Sequence, residues 1–221
     1  MRNSIFFLFA LHFLVFAVFV SAEDKFVGLT FDDGPHPYYT EQILKILKRY
    51  SATATFFLVG GQIKKYPELA RLVISEGCET GNHTYTHPRL IFLSDNEVSQ
   101  EIKKTSVLLK ETTGANVKYF RPPGGRYYFS TLQNIGVLET VLWTINTDDI
   151  GKTAEEIWRE ALAARDGDIV LMHSGVEQTI AVLPRILRHF SNNGIRAVSI
   201  SELRSQGSRK AFSRACPQEL Y

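Results

Sequence analysis

The chain has 221 residues, 44% hydrophobic and 22% charged, which is enough for one sizeable core and too ordinary a mixture for a disordered or fibrous protein. Its formal net charge is +2, which excludes recognition of nucleic acid or of an anionic membrane by bulk charge. The two cysteines, Cys78 and Cys216, make no C-x-x-C metal motif; one bridge tying the tail to the body and two unpaired thiols both account for them.

Residues 1–22 carry Arg2, then an apolar run over 5–20 broken by His12, then Ser21 and Ala22 ahead of Glu23 and Asp24. That order predicts a secretory signal cleaved after Ala22. An uncleaved anchor is the competing reading, although the run is shorter than the roughly 20 residues that a bilayer requires. Cleavage removes Arg2 and leaves the rest nearly neutral. The expectation is an exported or cell-envelope monomer with no stable membrane insertion and no nucleic-acid partner.

Over 23–203, short apolar runs alternate with longer amphipathic stretches, the pattern of β-α repeats around a mostly parallel sheet. Strands are predicted at 26–31, 53–59, 79–82, 119–121, 141–145, 169–173 and 196–199, and helices at 40–50, 67–76, 95–113, 153–164 and 179–192. Ser94 and Asp95 with Glu97 behind them open one helix, while Gly77, Gly114 and Gly194 follow others. There is no linker or repeat, so one domain is expected, followed by a polar, basic tail at 204–221. In such folds functional side chains gather at the C-terminal ends of strands. Asp32 and Asp33, His83, Arg121, Asp148 and Asp149, and His173 all stand at or just past a predicted strand end.

Each cluster has a plain reading and a chemical one. In "TFDDGP" (30–35) the acids could simply belong to a turn. In "GNHTYTHP" (81–88), His83 and His87 are four apart and share a face on a helical turn, so they can share a metal; as surface histidines in a loop closed by Pro88 they would do nothing. Thr84 stands where H-E-x-x-H peptidases carry their glutamate, so a base must come from elsewhere. A catalytic metal usually has three protein ligands and a water, and two histidines plus a carboxylate is a common set. The doubled acid then reads as one ligand and one base. In "FRPPGG" (120–125) Arg121 can hold the base ionised and aimed, or merely cap a loop. In "IVLMHSG" (169–175) His173 can protonate a leaving group, or serve structure alone.

With these motifs in this order, the chain resembles the polysaccharide deacetylase family, the carbohydrate esterases of family 4 with the NodB-homology domain, over 26–203. The resemblance implies an α/β fold, a distorted (β/α) barrel of about seven mostly parallel strands in a single domain. It implies Asp32 as general base, Asp33, His83 and His87 as metal ligands, and Arg121 as the residue that orients the base. It further implies the Gly124 N–H as oxyanion donor, His173 as general acid with Asp149 as its partner, and Leu171 against the acetyl methyl. The metal would be divalent, zinc first, with cobalt, manganese or nickel as alternatives. Asn146, Ile150 and Gly124 depart from the family pattern and put in doubt the aromatic wall against which sugar rings stack. Cys78 sits where the family often has a histidine, outside the ligand set.

The expected activity is hydrolysis of N-acetyl groups on glucosamine units of peptidoglycan or a chitin-like glycan. An O-acetyl xylan esterase would use the same residues, and an inactive carbohydrate-binding homologue would show a broken ligand or base.

Overall fold

The computed structural model describes residues 24–134 and 136–206; the expected signal at 1–22, and Cys216 with most of the expected tail, lie outside the described residues. Strands β1 (Lys25–Gly34), β2 (Thr55–Leu58), β3 (Glu79–Asn82), β4 (Tyr119–Phe120), β5 (Glu139–Thr140), β6 (Ile145–Asn146), β7 (Ile169–His173) and β8 (Ile195–Val198) form one sheet. Every pairing is parallel, in the order β5-β4-β3-β2-β1-β7-β6, and β8 pairs with the first residues of β1. The sheet curls without closing, the distorted barrel that was expected, with a short β5 beyond the predicted strands.

Helices α1 (Thr40–Arg49), α2 (Gly60–Lys65), α3 (Pro67–Ser75), α4 (Asp95–Thr113), α5 (Phe129–Asn134), α6 (Ala154–Ala161), α7 (Glu177–Asn192) and α8 (Ile200–Ser205) complete the order. Among the described residues no helix is long and apolar enough to cross a membrane. The expected stop signals operate: Ser94 and Glu97 form a reciprocal capping box on α4, and Gly114 ends it at φ 73°, where a side chain would be strained.

The alternation of β1 divides the interior in two. Val27, Leu29 and Phe31 pack with Phe56, Val170 and the apolar stripes of α1 and α7 in the main core, which also holds Cys78. Burial pushes the Cys78 thiol up to about 11, which suits a core residue and not a ligand. Phe26 faces the concave side with Phe57, Tyr119, Val141 and Ile169, and Ile200 and Leu203 of α8 close that side from below. A Cβ on Gly28 would lie 3.0 Å from Leu203 Cδ2 and 3.1 Å from Ile200 Cδ1, so the plug seats only because β1 has a glycine there. The expected tail at 204 therefore begins too early: α8 runs to Ser205.

The strand predicted at 141–145 does not form as one piece. Pairing is confined to β5 and β6 on either side, because the carbonyls of Val141 and Leu142 are taken by the Arg121 guanidinium at 2.9 Å each instead of by a neighbouring strand.

Candidate metal centre and catalytic site

Side chains of successive strand residues point to opposite faces, so Asp32 and Asp33 should diverge. They do not, because β1 carries a bulge there: Phe31 pairs with Phe56 and Gly34 with Leu58, leaving two residues of β1 against one of β2. Asp33 occupies the bulge at φ 67°, a left-handed conformation that aspartate tolerates better than most residues. Both carboxylates thus enter the concave side, Asp32 nearly fully buried and Asp33 at its edge.

The segment after β3 brings His83 and His87 to the same place, although not as a helical turn. It is a loop in which Thr84 (φ 64°) and His87 (φ 60°) are left-handed, and Pro88 disfavours helical geometry at His87. The imidazole centroids are 4.9 Å apart. Asp33 Oδ1 lies 3.3 Å from His83 Nε2 and 3.1 Å from His87 Nε2.

The donor set fits a cation. His83 Nδ1 lies 2.7 Å from the Arg121 carbonyl, which can only accept, so Nδ1 carries the proton and Nε2 turns its lone pair toward Asp33. Asp33 Oδ1 is buried and has no hydrogen-bond donor of its own. Lone pairs facing one another at this range repel unless a positive charge sits between them. The spacing matches the roughly 3.3 Å edge of a tetrahedron with metal–ligand bonds of about 2.0–2.1 Å. Burial opposes ionisation of Asp33, but a positive charge on the His83 and His87 side more than offsets that, so beside protonated imidazoles its carboxyl lies well below the usual range.

Asp32 belongs to a second network. Arg121 is fully buried, with its guanidinium 4.1 Å above the Phe57 ring. Its Nη1 donates to Asp32 Oδ1 and to Thr30 Oγ1, each at 2.8 Å, while Nε and Nη2 hold the Val141 and Leu142 carbonyls. This leaves Asp32 Oδ2 free to face the histidines, 3.7 Å from His83 Nε2.

Across the sheet, Asp32 pairs in register with His173, and Thr30 with Leu171, so those four side chains share one face. Asp149 is buried and holds His173 twice: Oδ1 takes the ring Nδ1 at 2.6 Å and Oδ2 the backbone N–H at 2.8 Å. Thr179, in the first turn of α7, donates a short hydrogen bond to the same carboxylate. Burial would lower the His173 pKa, yet Asp149, followed by the charges of Asp32 and Asp33, raises it above the ordinary value. His173 Nε2 is therefore the ring nitrogen left for a proton transfer.

Gly124 stands exposed at φ 64° in the turn beyond Pro123, where the positive φ suits glycine better than the aromatic usual at that position. Asn146 accepts the Asp148 N–H at 2.9 Å, and Ile150 is 68% exposed beyond β6. Asp148 points away from the cluster, toward Lys152 at 3.8 Å. Thr30, Thr179 and Glu101, whose carboxylate accepts the Tyr85 and Thr86 N–H groups between the two histidines, were not anticipated. Thr30 is legible in hindsight, two residues before Asp32 on one strand; Thr179 and Glu101 are ordinary helix residues with no local signal.

Comparison with known proteins places the chain and its fold among relatives. Residues 20–140 match the family model for polysaccharide deacetylase. A peptidoglycan-N-acetylglucosamine deacetylase of Bacillus cereus is 37% identical, over 83% of this chain and 90% of that protein. The solved structure of the peptidoglycan deacetylase PdaC from Bacillus subtilis superposes with a TM-score of 0.81 at 30% identity, covering 85% of this chain and 94% of that one. A family 4 pseudoenzyme from Bacillus anthracis superposes at 0.78, also at 30% identity, over 82% of this chain and 66% of that one.

Proposed function

The chain belongs to the polysaccharide deacetylase family, and from that premise we propose that it is a metal-dependent hydrolase removing acetyl groups from N-acetylglucosamine units of peptidoglycan or a chitin-like glycan outside the cytoplasm. The observation that carries the reading is the meeting, in one pocket, of three lone-pair ligands with a separate carboxylate fixed by a buried arginine. Asp33, His83 and His87 hold the ion, zinc being the first candidate for an N, N, O set and cobalt, manganese or nickel the alternatives. A divalent cation there supplies Lewis acidity and a more acidic water.

Asp32 Oδ2 accepts the proton of the attacking water, and Arg121, bonded to Oδ1, keeps that carboxylate aimed. The Gly124 N–H donates to the developing oxyanion, a contribution typically on the order of 3 kcal/mol. Leu171 packs against the acetyl methyl. His173 Nε2 protonates the departing amine. Tyr38, Phe92, Tyr128 and Phe129, all at least half exposed, lie on segments that follow β1, β3 and β4, at the same end of the sheet as the ligands. Their rings offer the stacking surface for a glycan that Gly124 and Ile150 do not.

The test is acetate release from N-acetyl chitooligosaccharides, peptidoglycan and acetylated xylan in parallel, with Asp32→Asn as blank. Release from the first two well above the blank is expected, and a signal equal to the blank on all three substrates sinks the proposal. His173→Ala is expected to slow amide hydrolysis by on the order of a hundredfold to ten-thousandfold and ester hydrolysis by less, because an alkoxide leaves without full protonation.

The sign of the pH dependence follows from His173. The acid must be protonated, so activity falls as pH rises through its raised pKa. Asp149→Asn removes the principal partner that raises it, and the falling limb should move to lower pH. A limb that stays in place in the kcat profile would remove His173 from the acid role.

A further inference from the structure

We infer that Glu101, in the N-terminal half of α4, is a positioning residue for the metal ligands, acting through the loop that carries them. The inference rests on the metal reading of Asp33, His83 and His87. Glu101 Oε2 accepts the backbone N–H groups of Tyr85 and Thr86, each at 2.7 Å, and Oε1 accepts the Thr86 hydroxyl at 2.9 Å. One carboxylate, 15 and 16 residues away in sequence, thus binds three donors lying between the two histidines.

The loop needs such a partner. Thr84 and His87 are left-handed, a conformation that a non-glycine residue keeps only where its surroundings impose it. Neighbouring elements supply the rest of the grip. The Gly60 and Gly61 N–H groups donate to the Thr84 and Tyr85 carbonyls at 2.9 and 2.8 Å, and a Cβ on Gly60 would strike the Tyr85 ring. Buried Asn82 accepts the Thr84 N–H at 2.8 Å and ties itself to α4 through the Ile102 carbonyl at 2.7 Å. The His83 end is therefore anchored by β3 and Asn82. The His87 end, whose side chain is 42% exposed, follows directly after the residues that Glu101 holds. Releasing Glu101 frees His87 more than His83.

The experiment is the zinc affinity of the full chain, measured by competition with a chromophoric chelator, alongside the melting temperature of the metal-free protein. Glu101→Ala is expected to weaken zinc binding by about tenfold to a hundredfold, the usual effect of removing a partner that orients ligands. Glu101→Gln keeps a carbonyl for both amides and should stay within about threefold of the wild type. Thr86→Val removes only the hydroxyl bond and should fall between, giving a reading even where the alanine variant does not fold. A merely structural role would lower the metal-free melting temperature and leave the affinity of folded protein unchanged. Wild-type affinity in Glu101→Ala, or in Thr86→Val should the alanine variant not fold, overturns this inference alone. A wild-type chain that takes up no zinc overturns the metal reading, and this inference with it.

Discussion

Asp32→Asn is expected to reduce acetate release by about a hundredfold to ten-thousandfold while the purified protein keeps its metal, because that is what a general base typically contributes and an amide cannot take the proton. The separation follows from the two networks. Asp32 Oδ1 is committed to Arg121 and its Oδ2 approaches His83 Nε2 only to 3.7 Å, whereas Asp33 Oδ1 lies within 3.3 Å of both imidazoles. Asp33→Asn should therefore release the metal, and equilibrium dialysis followed by metal analysis distinguishes the two. If both substitutions release it, the division of roles is wrong. Asp32→Asn also leaves the Arg121 guanidinium buried without its anion. Breaking a buried pair from one side costs about 3–5 kcal/mol, which for a domain of this size lowers Tm by roughly 6–20 °C.

Arg121→Met is the second substitution with a large expected effect, and it acts first on the fold. The side chain is wholly buried, donates four hydrogen bonds and carries the only positive charge bonded to Asp32 among the described residues. Its loss orphans the Val141 and Leu142 carbonyls as well as Asp32. Each buried carbonyl left unpaired costs about 1–3 kcal/mol, in addition to about 3–5 for the broken ion pair. The sum approaches the whole stability of an ordinary domain, about 5–15 kcal/mol, so weak expression or a melting temperature lowered by more than about 10 °C is expected. Arg121→Lys keeps the charge but cannot span both carbonyls and the carboxylate, and should lose less stability than methionine. The double change Asp32→Leu with Arg121→Met should be more stable than Arg121→Met alone while remaining inactive, since an apolar pair leaves no uncompensated charge. A single Arg121→Met protein that melts like the wild type would refute the role given to the guanidinium in seating residues 141–144.

Much of this molecule could be read along the chain. β3, α4 and β7 coincide with their predicted ranges: α4 sets a buried stripe of Val98, Ile102 and Leu109 between unambiguous ends, the Ser94 and Glu97 box and Gly114, and β7 is a short continuous apolar run that ends at His173. The misses have a common cause. α2 begins with two glycines, which read as a break, yet their amides are held by the Thr84 and Tyr85 carbonyls. α8 is short and carries no predicted helix, falling between the strand expected at 196–199 and the tail expected from 204, but Ile200 and Leu203 plug the concave side beneath Gly28. The strand expected at 141–145 divides because a side chain twenty residues away takes its carbonyls.

The inventory of the site was legible along the chain: two adjacent acids after an apolar strand, two histidines four apart, an arginine before two prolines, and a histidine at a buried strand end. These are properties of residue type and local spacing. Tertiary structure decided how they meet. A one-residue bulge turns Asp33 to the side of Asp32, and a left-handed loop, not a helical turn, joins His83 to His87. Glu101 from α4 and Thr179 from α7 then fix groups to which no local pattern connects them. The physical reason is that hydrogen bonds and burial act between atoms brought together by the parallel sheet, at separations of 15 to 91 residues that spacing along the chain does not encode.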